Sequence, residues 1–141
     1  VRKRAKLNSH LMQLLKEYKL RLIFLPVERD GFILHGKSGE EDQIVIRDTL
    51  PENQIESVVL HEIGHAKFDD RVSYSSYTLH CKDENNANNY MIEQQVKRYV
   101  DLDNDPLYTN YIDLAKSIGT GNYQKVKNEL QKYIDEENKN E

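Results

Sequence analysis

Residues 61–65 read HEIGH and constrain the fold of this chain more than any other segment. Two histidines four residues apart point to the same side only if the segment is helical. Thr49 and Glu52 match a capping box and Pro51 fits a first helical turn, so we predict a helix from there to about Phe68. The fold must therefore accommodate a helix that carries two imidazoles on one face.

The two histidines of this helix can bind one metal ion together. Glu62 is too close in sequence to His61 to be a natural third ligand, but its carboxylate can accept a proton from a metal-bound water. Gly64 costs about 1 kcal/mol relative to Ala in mid-helix, which indicates the close approach of a backbone or ligand. The alternative, two unrelated histidines on a solvated helix face, is less favoured because the helix is apolar on most sides.

A second predicted helix, which begins at Asp83, supplies the missing ligand. It presents Glu84, and a catalytic zinc site takes three protein ligands and keeps one position for water. His61, His65 and Glu84 therefore make a complete set for one Zn²⁺ per chain. Asn88 follows Glu84 by one turn, so its amide is expected to orient a ligand histidine from the second layer; an ordinary exposed Asn is the alternative.

HEIGH followed by ENNAN at residues 84–88 resembles the gluzincin pattern HExxH…ExxA[DN]. More narrowly, it is similar to the ImmA/IrrE family of metallopeptidases of mobile genetic elements and stress responses. The similarity runs from about Gly31 to Val100, half of the chain. Many members end the second helix with a Phe-Ala pair and a Leu-Pro boundary; here Tyr90 and Met91 replace the pair, and the boundary is absent.

This resemblance implies a zincin-like catalytic core with His61, His65 and Glu84 as zinc ligands and Glu62 as general base. It also implies a cytoplasmic endopeptidase acting on a regulatory protein, with a phage or mobile-element repressor that binds DNA as the expected target. A second hypothesis is a zinc-containing module that inactivates such a repressor by association, without turnover. A third is a small DNA-associated regulator, which the net charge of −4 disfavours.

Several polar residues near the motifs are candidates for stabilising the oxyanion of a tetrahedral intermediate. They are His80, Tyr74, Tyr77 and Tyr90. His80 is also a candidate extra metal ligand, with a loop histidine as the plainest interpretation. Cys81 has no catalytic partner pattern around it and is interpreted as structural or incidental.

The remaining patterns predict a small α+β domain. A short three-stranded antiparallel or mixed sheet packs against the HExxH and ExxA helices, with additional C-terminal helices. We expect strands at 21–25, 31–35 and 43–47, a packing helix at 8–20, a loop at 69–81, the ExxA helix at 83–99, and helices from 103 to Gly119 and from 122 to 133. Residues 43–47 are either an exposed edge that binds extended substrate or a fully paired inner strand.

The length of 141 residues suits one metallopeptidase domain at 1–134, with a core at about 20–100, C-terminal helices at about 106–134 and a charged tail at 135–141. No apolar run approaches the roughly 20 residues that span a bilayer, so no membrane segment is expected. The basic residues 1–6 are not followed by a signal-peptide core, and Cys81 is the lone cysteine, which favours the cytoplasm. Direct binding of nucleic acid is not expected, and the sequence does not predict the oligomeric state.

Overall fold

The computed structural model describes residues 8–68 and 77–139. Within the second range, only the backbone is described for residues 77–81. This part of the chain is α+β, with a three-stranded sheet, five α-helices and one short 3-10 helix. In chain order the elements are α1 (Ser9–Glu17), β1 (Leu20–Leu25), β2 (Gly31–Leu34), β3 (Asp42–Arg47), α2 (Glu52–Phe68), α3 (Tyr77–Asp101), the 3-10 helix (Pro106–Tyr108), α4 (Tyr111–Ile118) and α5 (Tyr123–Lys139).

The sheet is mixed, with strand order β1-β3-β2. β2 pairs with β3 antiparallel, from Gly31 opposite Ile46 to Leu34 opposite Gln43. β1 pairs with β3 parallel over its whole length. Of the two predicted arrangements, the mixed sheet is therefore the observed one, because β1 lies on the far side of β3 and enters in the same direction.

β3 is the central strand of the sheet, and this position decides between the two interpretations of residues 43–47. Ile44, Val45 and Ile46 are each at most 1% exposed, as expected for a strand covered on both faces. The prediction of an exposed edge here is wrong, because β1 and β2 occupy both edges of β3. In the described part of the chain, the edge strands are β1 and β2.

The first helix is capped as its sequence indicates. The side chain of Asn8 accepts a hydrogen bond from the backbone N–H of Leu11 at 2.8 Å. Lys19 has a positive φ of 54° and separates this helix from β1. The predicted helix to residue 20 was therefore too long, because Leu20 already belongs to the sheet.

Helix α2, which carries the HEIGH segment, runs from Glu52 to Phe68. Its end agrees with the prediction, while its start lies directly after Pro51. The Thr49 hydroxyl, expected in a capping box, accepts a hydrogen bond from the Arg47 guanidinium at 3.3 Å. The start of the helix was thus predicted within three residues, although the predicted capping contact is replaced by one to Arg47.

Helix α3 begins at Tyr77, and not at Asp83 as predicted. The predicted loop at 69–81 is wrong for residues 77–81, and residues 69–76 lie outside the described chain. Residues 69–101 contain neither Gly nor Pro, so nothing local stops a helix before Asp83. Glu84 consequently lies in the third turn of a long helix, and not at its head.

The C-terminal helices also differ in extent from the prediction. The single helix expected from residue 103 is divided into the 3-10 helix, capped by Asp105, and α4, capped by Asn110. Gly119 ends α4 with a φ of 93°, a conformation that favours glycine. α5 continues to Lys139, well beyond the predicted end at 133, because its polar last turns contain no helix breaker.

No described helix combines the length and apolar character that crossing a membrane requires.

Contacts between Cα atoms divide the chain into two compact units, Val1–Asn88 and Asn89–Glu141. The first contains the sheet, α1, α2 and the first turns of α3; the second contains the rest of α3 and all that follows. The prediction of one domain stays a prediction. Buried apolar residues of the first unit are Leu11, Leu15, Leu20, Ile44, Val45, Ile46, Leu50, Ile55, Val59, Leu60, Ile63 and Ala87; those of the second are Tyr90, Met91, Ile92, Val96, Leu114, Ala115, Ile118, Val126 and Leu130.

Candidate metal centre

Three side chains from α2 and α3 converge on one point. The Nε2 atom of His61 lies 3.0 Å from Oε2 of Glu84, and Nε2 of His65 lies 3.1 Å from Oε1 of the same carboxylate. The two imidazole Nε2 atoms are 3.1 Å apart, and potential ligand atoms of all three residues lie within 4.8 Å of one another. This group could hold a metal ion.

The donor set and its spacing fit a tetrahedral metal. With metal–ligand bonds of about 2.1 Å, tetrahedral geometry separates neighbouring ligand atoms by about 3.4 Å. The observed separations of 3.0 to 3.1 Å therefore need to widen by only a few tenths of an ångström. Two neutral imidazoles and one carboxylate are a ligand set found in catalytic zinc sites, where the fourth position is left for water.

Close packing of α2 on α3 brings the ligands together. A Cβ atom added to Gly64 would lie 2.9 Å from the Cα atom of Ala87 and 3.1 Å from its carbonyl oxygen. The helices approach this closely because Gly64 has no side chain and Ala87 has only a methyl group. This matches the close approach expected at Gly64 and places Glu84, one turn before Ala87, opposite the histidines.

Glu62 is the one charged side chain of this helix that is buried, at 8% exposure. It lines the same cavity as His61, His65 and Glu84. This cavity has a volume of about 910 Å³. A carboxylate next to the metal ligands and facing the same space has the position that a general base requires.

Burial is the main reason why the pKa of His61 is lowered. The neighbouring His65 lowers it further, while the Glu84 carboxylate and a hydrogen bond with the Asn88 side chain oppose the shift. A lowered pKa keeps His61 uncharged at neutral pH, and the neutral imidazole is the form that binds a metal. The hydrogen bond also places Asn88 beside the candidate ligand His61; that Asn88 orients this imidazole stays a prediction.

Of the other sequence candidates, Tyr90 is the one whose side chain the structure describes. Tyr90 is buried and belongs to the second compact unit. Tyr74 lies outside the described residues. Tyr77, His80 and Cys81 belong to the first turns of α3, where only the backbone is described.

His35 and Asp42 are among the cavity-lining residues that sequence reasoning missed. The His35 Nδ1 atom lies 3.2 Å from Oδ2 of Asp42. The available signal was weak: a histidine at the end of one predicted strand and an aspartate just before the next, with a glycine-containing turn between them. Which acidic residue the histidine meets depends on how that turn closes.

Comparisons with known proteins found no matching family model, no similar curated protein and no similar solved structure.

Proposed function

We propose that this chain is a zinc-dependent endopeptidase that cleaves a regulatory protein. The observation that carries the proposal is the convergence of His61, His65 and Glu84 at a cavity that Glu62 also lines. A binding site for structural zinc is normally closed by four protein ligands. Here the described residues offer three, next to a buried carboxylate and a cavity large enough for a peptide segment.

The catalytic steps follow from the positions of these side chains. Zinc, when bound by the three ligands, would act as a Lewis acid that makes water more acidic and a peptide carbonyl more electrophilic. Glu62 accepts one proton from the attacking water as the remaining hydroxide forms the new C–O bond. Glu62 then delivers this proton to the leaving nitrogen as the C–N bond breaks. The products are a carboxylic acid and an amine.

The edge strand β2 is suited to hold the substrate. Gly31, Phe32 and Ile33 of β2 line the cavity together with the ligands. Among residues 8–68 and 77–139, β3 is the one strand that pairs with β2, and an edge strand can bind an extended peptide through its main-chain N–H and C=O groups. We therefore expect extended substrate to bind at β2. The sequence had offered the neighbouring strand, β3, as one alternative for this role.

The expected substrate class comes from the resemblance to ImmA/IrrE metallopeptidases. The motif residues that carry this resemblance, His61, His65 and Glu84, are those that meet in space. We therefore propose a DNA-binding repressor of a phage or mobile element as the substrate and the cytoplasm as the place of cleavage.

The Glu62→Gln variant tests the proposal. It should retain one zinc per chain, measured by mass spectrometry of the metal, and should lose cleavage, since an amide cannot accept the proton of water. Expressed in the host with an affinity tag, it should retain the substrate uncleaved, whereas wild type yields two fragments of that protein.

Glu52→Gln is the matched control, because Glu52 is an exposed carboxylate at the start of the same helix. This control should cleave like wild type. Cleavage by Glu62→Gln at the wild-type rate would contradict the mechanism. A zinc-dependent complex in which wild type leaves the partner intact would replace the proposal with the alternative, a binding module without turnover.

A further inference from the structure

A histidine–aspartate pair lies at the far end of β2 from Gly31. The Nδ1 atom of His35 is 3.2 Å from Oδ2 of Asp42, and the other carboxylate oxygen, Oδ1, accepts a hydrogen bond from the backbone N–H of Gly36 at 2.9 Å. Both oxygens of Asp42 therefore have a partner. An imidazole bonded through Nδ1 is held in one orientation, with Nε2 on the opposite side of the ring.

The turn that joins β2 to β3 makes this pairing specific. A Cβ atom on Gly36 would lie 2.6 Å from the carbonyl oxygen of Glu41 and 2.7 Å from that of Glu40. Both are backbone atoms, so no larger residue fits without moving the turn. A hydrogen bond from the Glu40 N–H to the Lys37 carbonyl at 2.8 Å closes it further. His35 and Asp42 thus meet because the backbone between them is tightly folded.

The pair faces the same space as the metal ligands. His35 and Asp42 line the cavity that His61, Glu62 and Glu84 also line. The described residues offer Nε2 of His35 no hydrogen-bond partner, whereas Nδ1 has Asp42. The free edge of the ring is thus available to a molecule that enters the cavity.

Two path lengths relate the pair to the histidine ligands. β2 touches α2 where Gly31 meets Val58, since a Cβ on Gly31 would lie 2.7 Å from a Val58 methyl group. From this contact His35 follows after four residues, about 13 Å of extended chain. His65 follows Val58 after seven residues, about 10 Å of helix. Both residues line the cavity, so a substrate that extends along the cavity can contact both.

We propose that His35 is a catalytic hydrogen-bond donor of the peptidase and that Asp42 is its positioning residue. This inference rests on the proposed function, because it assigns a role in the same reaction. It replaces the oxyanion candidates His80, Tyr74, Tyr77 and Tyr90 with a residue whose orientation the fold determines.

The proposed step is a hydrogen bond to the oxyanion. When water attacks the peptide carbonyl, the C=O π electrons move to the oxygen, which becomes negatively charged. In the imidazolium form of His35, Nδ1 donates to Asp42 and the Nε2–H donates to that oxygen. When the C–N bond breaks, the oxygen returns its electron pair to carbon and the Nε2 proton stays on His35. The proton from water reaches the leaving amine through Glu62.

Kinetics on a randomised quenched-fluorescent decapeptide library test this assignment. For the best-cleaved peptide, His35→Ala should lower kcat about 100-fold and leave KM within about 2-fold, because the lost hydrogen bond exists only in the transition state. His35→Gln, whose amide nitrogen can take the place of Nε2, should recover part of kcat. Asp42→Asn should lower kcat less than His35→Ala does.

Nuclear magnetic resonance of the metal-free protein provides a readout that does not depend on turnover. Long-range ¹H–¹⁵N spectra recorded at a pH where His35 is neutral should show its remaining proton on Nδ1, the nitrogen beside Asp42; protonation to the imidazolium then adds the Nε2–H that donates to the oxyanion. Asp42→Asn should weaken this tautomer preference. A predominant Nε2–H tautomer in wild type would overturn the assignment of Asp42.

His10→Ala serves as the control, because His10 lies on α1 and does not line the cavity. It should match wild type in kcat, zinc content and folding. If wild type cleaves and His35→Ala cleaves equally well, the role of His35 is wrong and the proposed function stands. Loss of zinc from His35→Ala would identify a metal ligand instead and overturn this inference. If wild type cleaves no member of the library and no protein of its host, both proposals fail.

Discussion

His61 is the proposed ligand whose surroundings are defined in most detail. Its ring contacts His65 edge to face, with centroids 4.8 Å apart. Glu84 and Asn88 both form hydrogen bonds with the same imidazole. An imidazole has only two ring nitrogens, so a metal bound at one of them leaves the other for an orienting partner. Asn88, which forms a hydrogen bond with the same ring, is the residue we propose for that role.

Replacing Asn88 with Ala should weaken zinc binding by about 10-fold without destabilising the fold. Outer partners of metal ligands typically contribute 10- to 100-fold in affinity, and the exposure of Asn88 favours the lower end of that range. Competition with a fluorescent chelator measures the change.

Asn85→Ala is the matched control, since Asn85 is also exposed on α3. Both variants replace Asn with Ala, so both gain the same helix propensity. It should bind zinc like wild type. Equal affinities for all three proteins would show that Asn88 does not orient His61.

Glu129 is a second residue whose environment predicts a measurable effect. Its side chain is 7% exposed and accepts bonds from Lys132 at 2.7 Å and Lys125 at 3.1 Å. Burial alone would raise the pKa of Glu129, but the two lysines outweigh burial and lower it. A carboxyl group with a lowered pKa stabilises the folded state above its usual pKa of about 4.5 and loses this contribution as pH falls below it.

Glu129→Gln should therefore reduce the free energy of unfolding at pH 7 by about 1 to 2 kcal/mol, a modest value because Lys132 is largely exposed. The difference between variant and wild type should shrink as pH is lowered from 5 to 3, as Glu129 itself becomes neutral. Urea unfolding at several pH values measures both effects. The control Glu136→Gln removes an exposed carboxylate from the same helix and should change stability by less than about 0.5 kcal/mol. A pH-independent difference for Glu129→Gln would contradict the role of its charge.

At this scale, the sequence predicted the residues that meet in the metal centre because their geometry is local to two helices. A spacing of four residues determines that His61 and His65 share a face, whatever the rest of the fold does. The His35–Asp42 contact was not predictable in the same way. It depends on a turn whose closure is set by the close packing of Gly36 on backbone oxygens.

At the scale of elements, the contact between α2 and α3 determines whether the three ligands meet. Gly64 is the point of closest approach, and its added Cβ would collide with backbone atoms of Ala87. Backbone cannot rotate away as a flexible side chain can, so a methyl group here must push the helices apart.

We expect Gly64→Ala to lower the free energy of unfolding by about 1 to 2 kcal/mol, because overpacking exceeds the gain of about 1 kcal/mol in helix propensity. Zinc affinity should fall by about 10-fold or more, as Glu84 moves away from the histidines. Urea unfolding and a zinc titration measure the two quantities.

Gly121→Ala is a suitable comparison, since a Cβ at Gly121 meets nothing within 4 Å. Its stability and zinc affinity should equal those of wild type within about 0.5 kcal/mol. If Gly64→Ala proves more stable than wild type and binds zinc normally, the helices do not depend on this close contact.

Element boundaries were predictable where a local signal exists. Asn8 caps α1, Gly119 ends α4, and the three strands begin and end within one residue of their expected positions. The order of the strands was not predictable, because β1 and β3 pair across about twenty residues and no local pattern encodes that choice. The start of α3 was missed for a different reason. Asp is a residue type that often caps helices, yet α3 continues through Asp83.

At the scale of the whole molecule, all three ligands belong to the first compact unit, while α3 extends from Tyr77 in the first unit to Asp101 in the second. A ligand that binds only the folded state stabilises every segment that unfolds together with its site. The distribution of zinc stabilisation along the chain therefore reports how far the cooperative unit extends. The prediction of one domain at 1–134 places the end of that unit within α5.

Zinc at a free concentration 100 times its Kd should stabilise the folded chain by about 2.7 kcal/mol and raise the thermal midpoint by roughly 10 °C. Because α3 is a continuous helix across the boundary at Asn88, we expect the same shift for peptides of α2 and of α5 in hydrogen exchange recorded along a temperature ramp. His65→Ala, which lacks one ligand, should show no shift with zinc in either peptide and so controls for nonspecific effects of the ion. A shift confined to α2 would mean that the two units unfold separately, and the chain would then consist of a zinc-binding domain and a second, independent domain, although the metal centre itself would be unaffected.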